Sequence, residues 1–379
     1  MNPGPPSIAG TEDHPHARMS LSTALATGPS HAYLFHGPAG VGKRTAARAF
    51  AAELLAEGSD DPAGARRRTL AGTHPDLTWV RPTGAHVMRT QDVDEPVIAA
   101  ASRTPFESSR RVFVLERVDT MNDEVANRLL KTLEEPASFV HLLLITDALD
   151  QVLPTVVSRC QAVRFDRLPG DRIAAELERD GVEPDRAAAC ARLALGNAAR
   201  ARFLASEEGQ ALRADVDRMV TVALAGGGRG PDEPEPWRGL HERADERRAA
   251  AEAAVESERK ERLQSEPNGR DRGALEKAFD EAARRDGRRA RTEVLDLGLT
   301  LAALSFRDLV CLAEGAPEAA LDLGRAEALA SAAPGREPRR LLAAAQRCED
   351  VRLSLELNVT EELALEALGF RLARLVGTA

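Results

Sequence analysis

The sequence has 379 residues, too many for one ordinary domain, and two or three domains is the natural division. Hydrophobic residues make up 43% and aromatics 3%. The first figure supports packed cores and excludes wholesale disorder, while the second, with abundant Ala and Arg, favours Ala-rich helices over a β-sandwich. A formal net charge of −9 argues against a chain that holds nucleic acid on its own basic surface, so any such role is expected to be shared with partners.

The N-terminal MNPGPPSIAG has no apolar h-region, and no apolar run approaches membrane-spanning length. A soluble, cytoplasmic protein without a membrane partner is expected. From there to about residue 167, short apolar strands alternate with helices. HAYLFHG (31–37) reads as a strand running into a Gly-rich turn, and KRTAARAFAAELLAEG (43–58) as a helix ended by Gly58. DLTWVRP (76–82) is a further strand. RRVFVLERVD (110–119) has consecutive rather than alternating apolar residues, as a strand buried on both faces of a parallel sheet requires. NDEVANRLLKTLEEP (122–136) begins at an Asn cap and stops at Pro136; FVHLLLITD (139–147) is a strand, followed by VLPTVVSRCQAVRF (152–165). The alternation predicts an α/β P-loop domain with a mainly parallel sheet over residues 1–167.

Residues 168–205 read as a small helical unit, and 206–379 as an all-α domain with a charged insertion at about 226–292. Residues 241–292 carry 14 Lys or Arg and 13 Asp or Glu, the pattern of a long solvated helix, broken near 266–273. The tail is strongly apolar at helical spacing and is expected to pack as a bundle. The cysteines at 160, 190, 311 and 348 form no CxxC pair and read as reduced core thiols.

Chemistry concentrates in HGPAGVGKRT (36–45). Gly37, Gly40 and Gly42 let the backbone curl so that its N–H groups face a phosphate at a helix N-terminus, and Lys43 is placed to reach the β- and γ-phosphates. The next position normally offers a Ser or Thr hydroxyl to Mg²⁺. Here it is Arg44, which carries donors only, and Thr45 is about 100° further round the helix. The acidic strand departs in a parallel way. P-loop ATPases end it in a metal-binding Asp, often followed by a Glu that polarises water; this chain has Glu116 and then Arg117, and arginine cannot act as a general base. Two readings of Glu116 stay open, a metal held through water or a strand-end acid bonding nearby backbone. Asp119 is expected to point elsewhere. Both departures imply that the site does not hydrolyse ATP.

HAYLFHGPAGVGK, THPDL, ANRLLKTLEEP and LPTVVSRCQ together resemble the clamp-loader branch of the AAA+ ATPases, and more narrowly its delta-prime members. The resemblance is dense over residues 20–205, and LELNVTEELALEAL (355–368) is similar to the last collar helix of the family. It implies an ATPase-like domain, a helical lid and a collar through which a hetero-pentamer with gamma/tau and delta subunits assembles, reaching the sliding clamp and primer-template DNA through that complex. It also implies that the Arg159 of SRC projects as an arginine finger into ATP bound by the neighbouring motor subunit. The family's four-Cys zinc module before HPD is absent from SDDPAGARRRTLAGTHPD, so no zinc is expected. In GNAARA (196–201) the motor's sensor arginine position is Ala199, with Arg200 next. The rival expectations are an active, divergent gamma/tau-like motor, which an intact loop hydroxyl and an Asp-Glu pair would favour, and a structural module without a finger.

Overall fold

A computed structural model of the chain describes residues 8–83, 87–227, 235–265, 272–332, 334–355 and 360–377. They divide into two compact units. The first runs through Arg172 and takes in Gly196–Ala199; the second holds Ile173–Leu195 and the chain from Arg200 onward.

The first unit is built on a five-stranded sheet of β1 (Ala32–His36), β2 (Leu77–Val80), β3 (Arg111–Glu116), β4 (Val140–Thr146) and β5 (Gln161–Arg164), in the order β2-β3-β4-β1-β5. Every pairing is parallel, which is the α/β class with a parallel sheet expected from the sequence. The consecutive apolar residues of the central strands follow from burial on both faces. Leu34, Phe113, Leu115, Leu142 and Leu144 point into one core, shared with Val125, Leu129 and Leu133 of helix α4 (Asp123–Glu134). Tyr33, Phe35, Val112, Val114, Leu143 and Ile145 point into the other, against α1 (Pro15–Thr27) and α2 (Lys43–Ala56).

Local signals act where the residues place them. The Asn122 side chain accepts from the Val125 N–H at 3.0 Å and starts α4, which ends at Glu134, two residues before Pro136. The cysteine-free stretch before HPD forms a helix, α3 (Pro62–Ala71), capped by Asp61, which accepts from the Gly64 N–H. Buried Asp76 accepts from the backbone N–H groups of Phe106, Glu107 and Ser108, tying the approach to β3 to the start of β2. LPTVVSRC forms a single helical turn, α5 (Pro154–Val157), leading into the edge strand β5.

The elements of the second unit are helices: α6 (Gly170–Arg179, whose first residues lie in the first unit), α7 (Pro184–Leu193), α8 (Ala198–Ala205, likewise shared), α9 (Glu207–Ala225), α10 (Arg238–Ser265), α11 (Arg272–Ala313), α12 (Leu323–Ala332), α13 (Pro338–Ser354) and α14 (Glu361–Val376). The charged stretch and the apolar stretch after it, which read as separate segments, share one 42-residue helix, α11. It pairs antiparallel with α10: Arg259 meets Asp280 at 3.0 Å, Gly287 packs on Glu252, and Gly298 on Leu240. The break expected near 266–273 and the breaker-rich 226–236 fall mostly outside the described residues, at 266–271 and 228–234. Among the described residues no helix is long and apolar enough to cross a membrane.

Candidate nucleotide site and arginine finger

The loop after β1 has the shape its glycines demand. Gly37, Gly40 and Gly42 all have positive φ, at 140°, 73° and 103°, and Gly42 stands immediately before the first turn of α2. The space around them is full. A Cβ at Gly37 would lie 2.0 Å from the Phe165 carbonyl oxygen, and one at Gly40 would lie 1.8 Å from Asn197 Oδ1. Asn197 belongs to the four residues of the GNAARA segment that pack with the first unit. On another side His14 Nε2 bonds the Val41 carbonyl at 2.7 Å, and Gly10 packs against Gly42 and Ala46.

Lys43 is buried and turned inward. Its ammonium donates to the Gly37 and Pro38 carbonyls of its own loop and pairs with Asp147 at 2.7 Å. Burial pushes its pKa down, and the Asp147 carboxylate opposes that shift. Asp147 directly follows β4, the strand beside β1, at the carboxyl edge where ligands of open α/β sheets gather.

Arg44 and Glu116 are brought together. The Arg44 guanidinium meets Glu116 Oε1 through Nη2 at 2.7 Å and Nε at 2.9 Å. The same oxygen accepts from Trp79 Nε1 at 2.5 Å and Arg81 Nε at 3.2 Å. Burial alone would raise the Glu116 carboxyl, but the Arg44 and Arg81 charges and the Trp79 bond hold it below the usual carboxylate range. The partners that the fold gives Glu116 are thus side chains, two of them cations. Trp79 and Arg81 carry no motif. They reach Glu116 because β2 runs beside β3 with Trp79 level with Val114 and Val80 level with Leu115. Arg48 stacks over the Trp79 ring at 4.5 Å, adding a further positive charge to the same wall.

The metal that the fold class employs does not fit this donor set. The position that offers a hydroxyl in a working loop holds a guanidinium, and the acid that would face the metal is committed to that guanidinium. Thr45 is exposed and does not replace the missing ligand. Arg117 adopts a left-handed conformation, φ 55°; Asp119, expected to point elsewhere, instead lies at the end of β4, where Thr146 Oγ1 donates to it at 2.7 Å and its charge acts on Lys43.

Arg159 follows α5. Its Nε and Nη2 bond Glu134 Oε1 at 2.9 and 2.5 Å, and its Nη1 donates to the Thr155 carbonyl at 2.9 Å and to Ser158 Oγ at 3.2 Å. Its side chain is about one-third exposed. The neighbouring Cys160 packs against the core, and burial pushes its thiol up to about 12, so it is a packing residue. Arg200, next to the sensor position, belongs to the second unit beside Asp296 and Arg352.

A glycine loop at the carboxyl edge of a parallel sheet, running into a helix that begins with lysine, defines a P-loop domain, here with a guanidinium at the usual metal-ligand position. Residues 14–169 match the family described as DNA polymerase III, delta subunit. The DNA polymerase III subunit delta' of Bacillus subtilis is 33% identical over 197 residues, covering 51% of this chain and 59% of the relative. That of Pseudomonas aeruginosa is 40% identical over 136 residues, covering 35% and 42%. The subunit tau of Bacillus subtilis is 30% identical over 171 residues, covering 43% and 30%. The chain thus spans about half the length of the delta' relatives it matches.

Proposed function

We propose that the chain is a non-hydrolysing, delta-prime-like subunit of a DNA polymerase III clamp-loader complex. It supports ATP-dependent loading of the sliding clamp on primed DNA, with gamma/tau and delta subunits as partners, and offers Arg159 to ATP held by the neighbouring motor subunit. The observation that carries the reading is the Arg44–Glu116 pair. A working site needs a hydroxyl and a free acid to hold Mg²⁺, and here each is replaced or occupied. With Lys43 bonded to its own loop and Asp147, the loop keeps its shape while its charged side chains are satisfied internally. Catalysis is then supplied across a subunit boundary, where an arginine finger contributes roughly 10³–10⁵ in rate.

The test titrates the purified chain with a fluorescent ATP analogue, with and without Mg²⁺, while phosphate release is followed. No turnover, and binding that is absent or indifferent to Mg²⁺, is the expected result. Mg²⁺-dependent hydrolysis lost on Lys43→Ala would overturn the reading in favour of a divergent gamma/tau-like motor.

A further inference from the structure

We infer that Glu134 is a positioning residue for Arg159: its carboxylate presets the finger before the neighbouring subunit docks. This rests on the reading of Arg159 as a finger.

The geometry is more ordered than an exposed arginine needs. Glu134 Oε1 takes two donors of the guanidinium, Nε at 2.9 Å and Nη2 at 2.5 Å, while Thr155 O and Ser158 Oγ take two from Nη1. Four of the five N–H donors are engaged in this way, which fixes the plane of the group and leaves one hydrogen on Nη2 for an outside acceptor. The two partners are anchored by the same core. Leu133, just before Glu134, and Val156, three residues before Arg159, are both 1% exposed in one apolar cluster, and Cys160 packs against it from the next position.

Stability does not explain the carboxylate. Its side chain is 48% exposed and that of Arg159 35%, and ion pairs so exposed contribute little to folding. Glu134 is also the last residue of α4, where the negative end of the helix dipole disfavours an acid. A weakly stabilising, poorly placed charge that organises the one residue offered to a neighbour fits a role in orientation. A free arginine loses the freedom of several rotatable bonds when it docks, and a preset one has lost it already.

The experiment reconstitutes the clamp-loader complex from full-length subunits carrying this chain as wild type, Arg159→Ala, Glu134→Ala or Glu134→Gln. Assembly is read by gel filtration, and kcat and KM for ATP by DNA-stimulated hydrolysis. A second measurement follows the Arg159 Nε–H resonance in the isolated chain, assigned by its loss in Arg159→Lys. Glu134→Ala is expected to lower kcat by about tenfold with KM and assembly unchanged, and to move the Nε–H signal to the fast-exchanging position of a free arginine. Glu134→Gln, which keeps an acceptor, is expected to recover most of both. An unchanged kcat or an unmoved resonance in Glu134→Ala, while Arg159→Ala abolishes hydrolysis, would overturn the inference alone. So would a fall in rate that merely follows lost assembly. If Arg159→Ala itself hydrolyses at the wild-type rate, the finger reading fails, and the inference fails with it.

Discussion

Arg44 at the start of α2 and Glu116 at the end of β3 face each other at 2.7 Å, with a cation at the position where a P-loop usually has a hydroxyl. They are separated by 72 residues, yet each departure explains the other. A buried carboxylate at 3% exposure needs a cation, and once the metal ligand is arginine the protein carries that cation covalently.

Removing the acid should therefore cost more than removing one cation. Glu116→Gln is expected to destabilise the first unit by about 1–3 kcal/mol, and Arg44→Ala by less than about 1 kcal/mol, because Arg81 and Trp79 remain on the carboxylate and Arg44 is partly exposed. Urea unfolding followed by Trp79 emission, in a Trp237→Phe background, measures both; equal losses would show that Arg44 alone sustains Glu116.

The pair also sets a pH dependence. The Glu116 carboxyl is held below its ordinary range in the folded chain, so its contribution is complete above the unfolded value of about 4.3 and is lost as pH falls through the lower folded value. The stability gap between wild type and Glu116→Gln should be constant from neutral pH down to about 5 and shrink below about 4. A gap that widens on acidification would reverse the sign of the interaction.

Gly40 is expected to tolerate no side chain. Gly40→Ala meets a φ of 73° and places a Cβ 1.8 Å from Asn197 Oδ1, two separate penalties, and should cost about 2 kcal/mol or more. Adding Asn197→Ala removes the steric part and leaves the backbone part. A double variant as unstable as the single one would show that Asn197 yields freely; hydrogen exchange of the loop amides reports the difference.

The central sheet should respond as a packed core. Phe113→Ala or Leu144→Ala, each fully buried in one cluster, is expected to lose about 2–5 kcal/mol. Denaturation of the first unit provides the test, and losses under 1 kcal/mol would mean that neighbouring helices close over the void.

Much of the architecture was legible because local chemistry and long-range packing agree. Consecutive apolar residues in 112–115 and 142–145 require burial on both faces, Asn122 and the proline at 136 bound a helix, and glycines at 37, 40 and 42 require a loop with positive φ. The site was legible only in part. Arg44 and Glu116 stood out as departures from a pattern, but their direct contact did not. Asp147 carried a signal, a carboxylate just past a strand beside the loop strand. Trp79, Arg81, Asn197 and the Glu134 contact to Arg159 carried none, since each depends on which strand or turn lies alongside.

The amino-acid order by itself determined the parallel α/β core, the loop with its lysine, the loss of the metal hydroxyl, and the helical character of the chain from residue 168, because each follows from periodicity, φ preference or donor chemistry within a few residues. Tertiary structure alone decided how the loss is compensated. Pairing of β2 with β3 delivers Trp79 and Arg81 to Glu116, packing of residues 196–199 on the loop sets Asn197 against Gly40, and a shared core holds Glu134 beside Arg159. Charge compensation acts over about 3 Å, and only folding brings residues far apart in the chain within that distance.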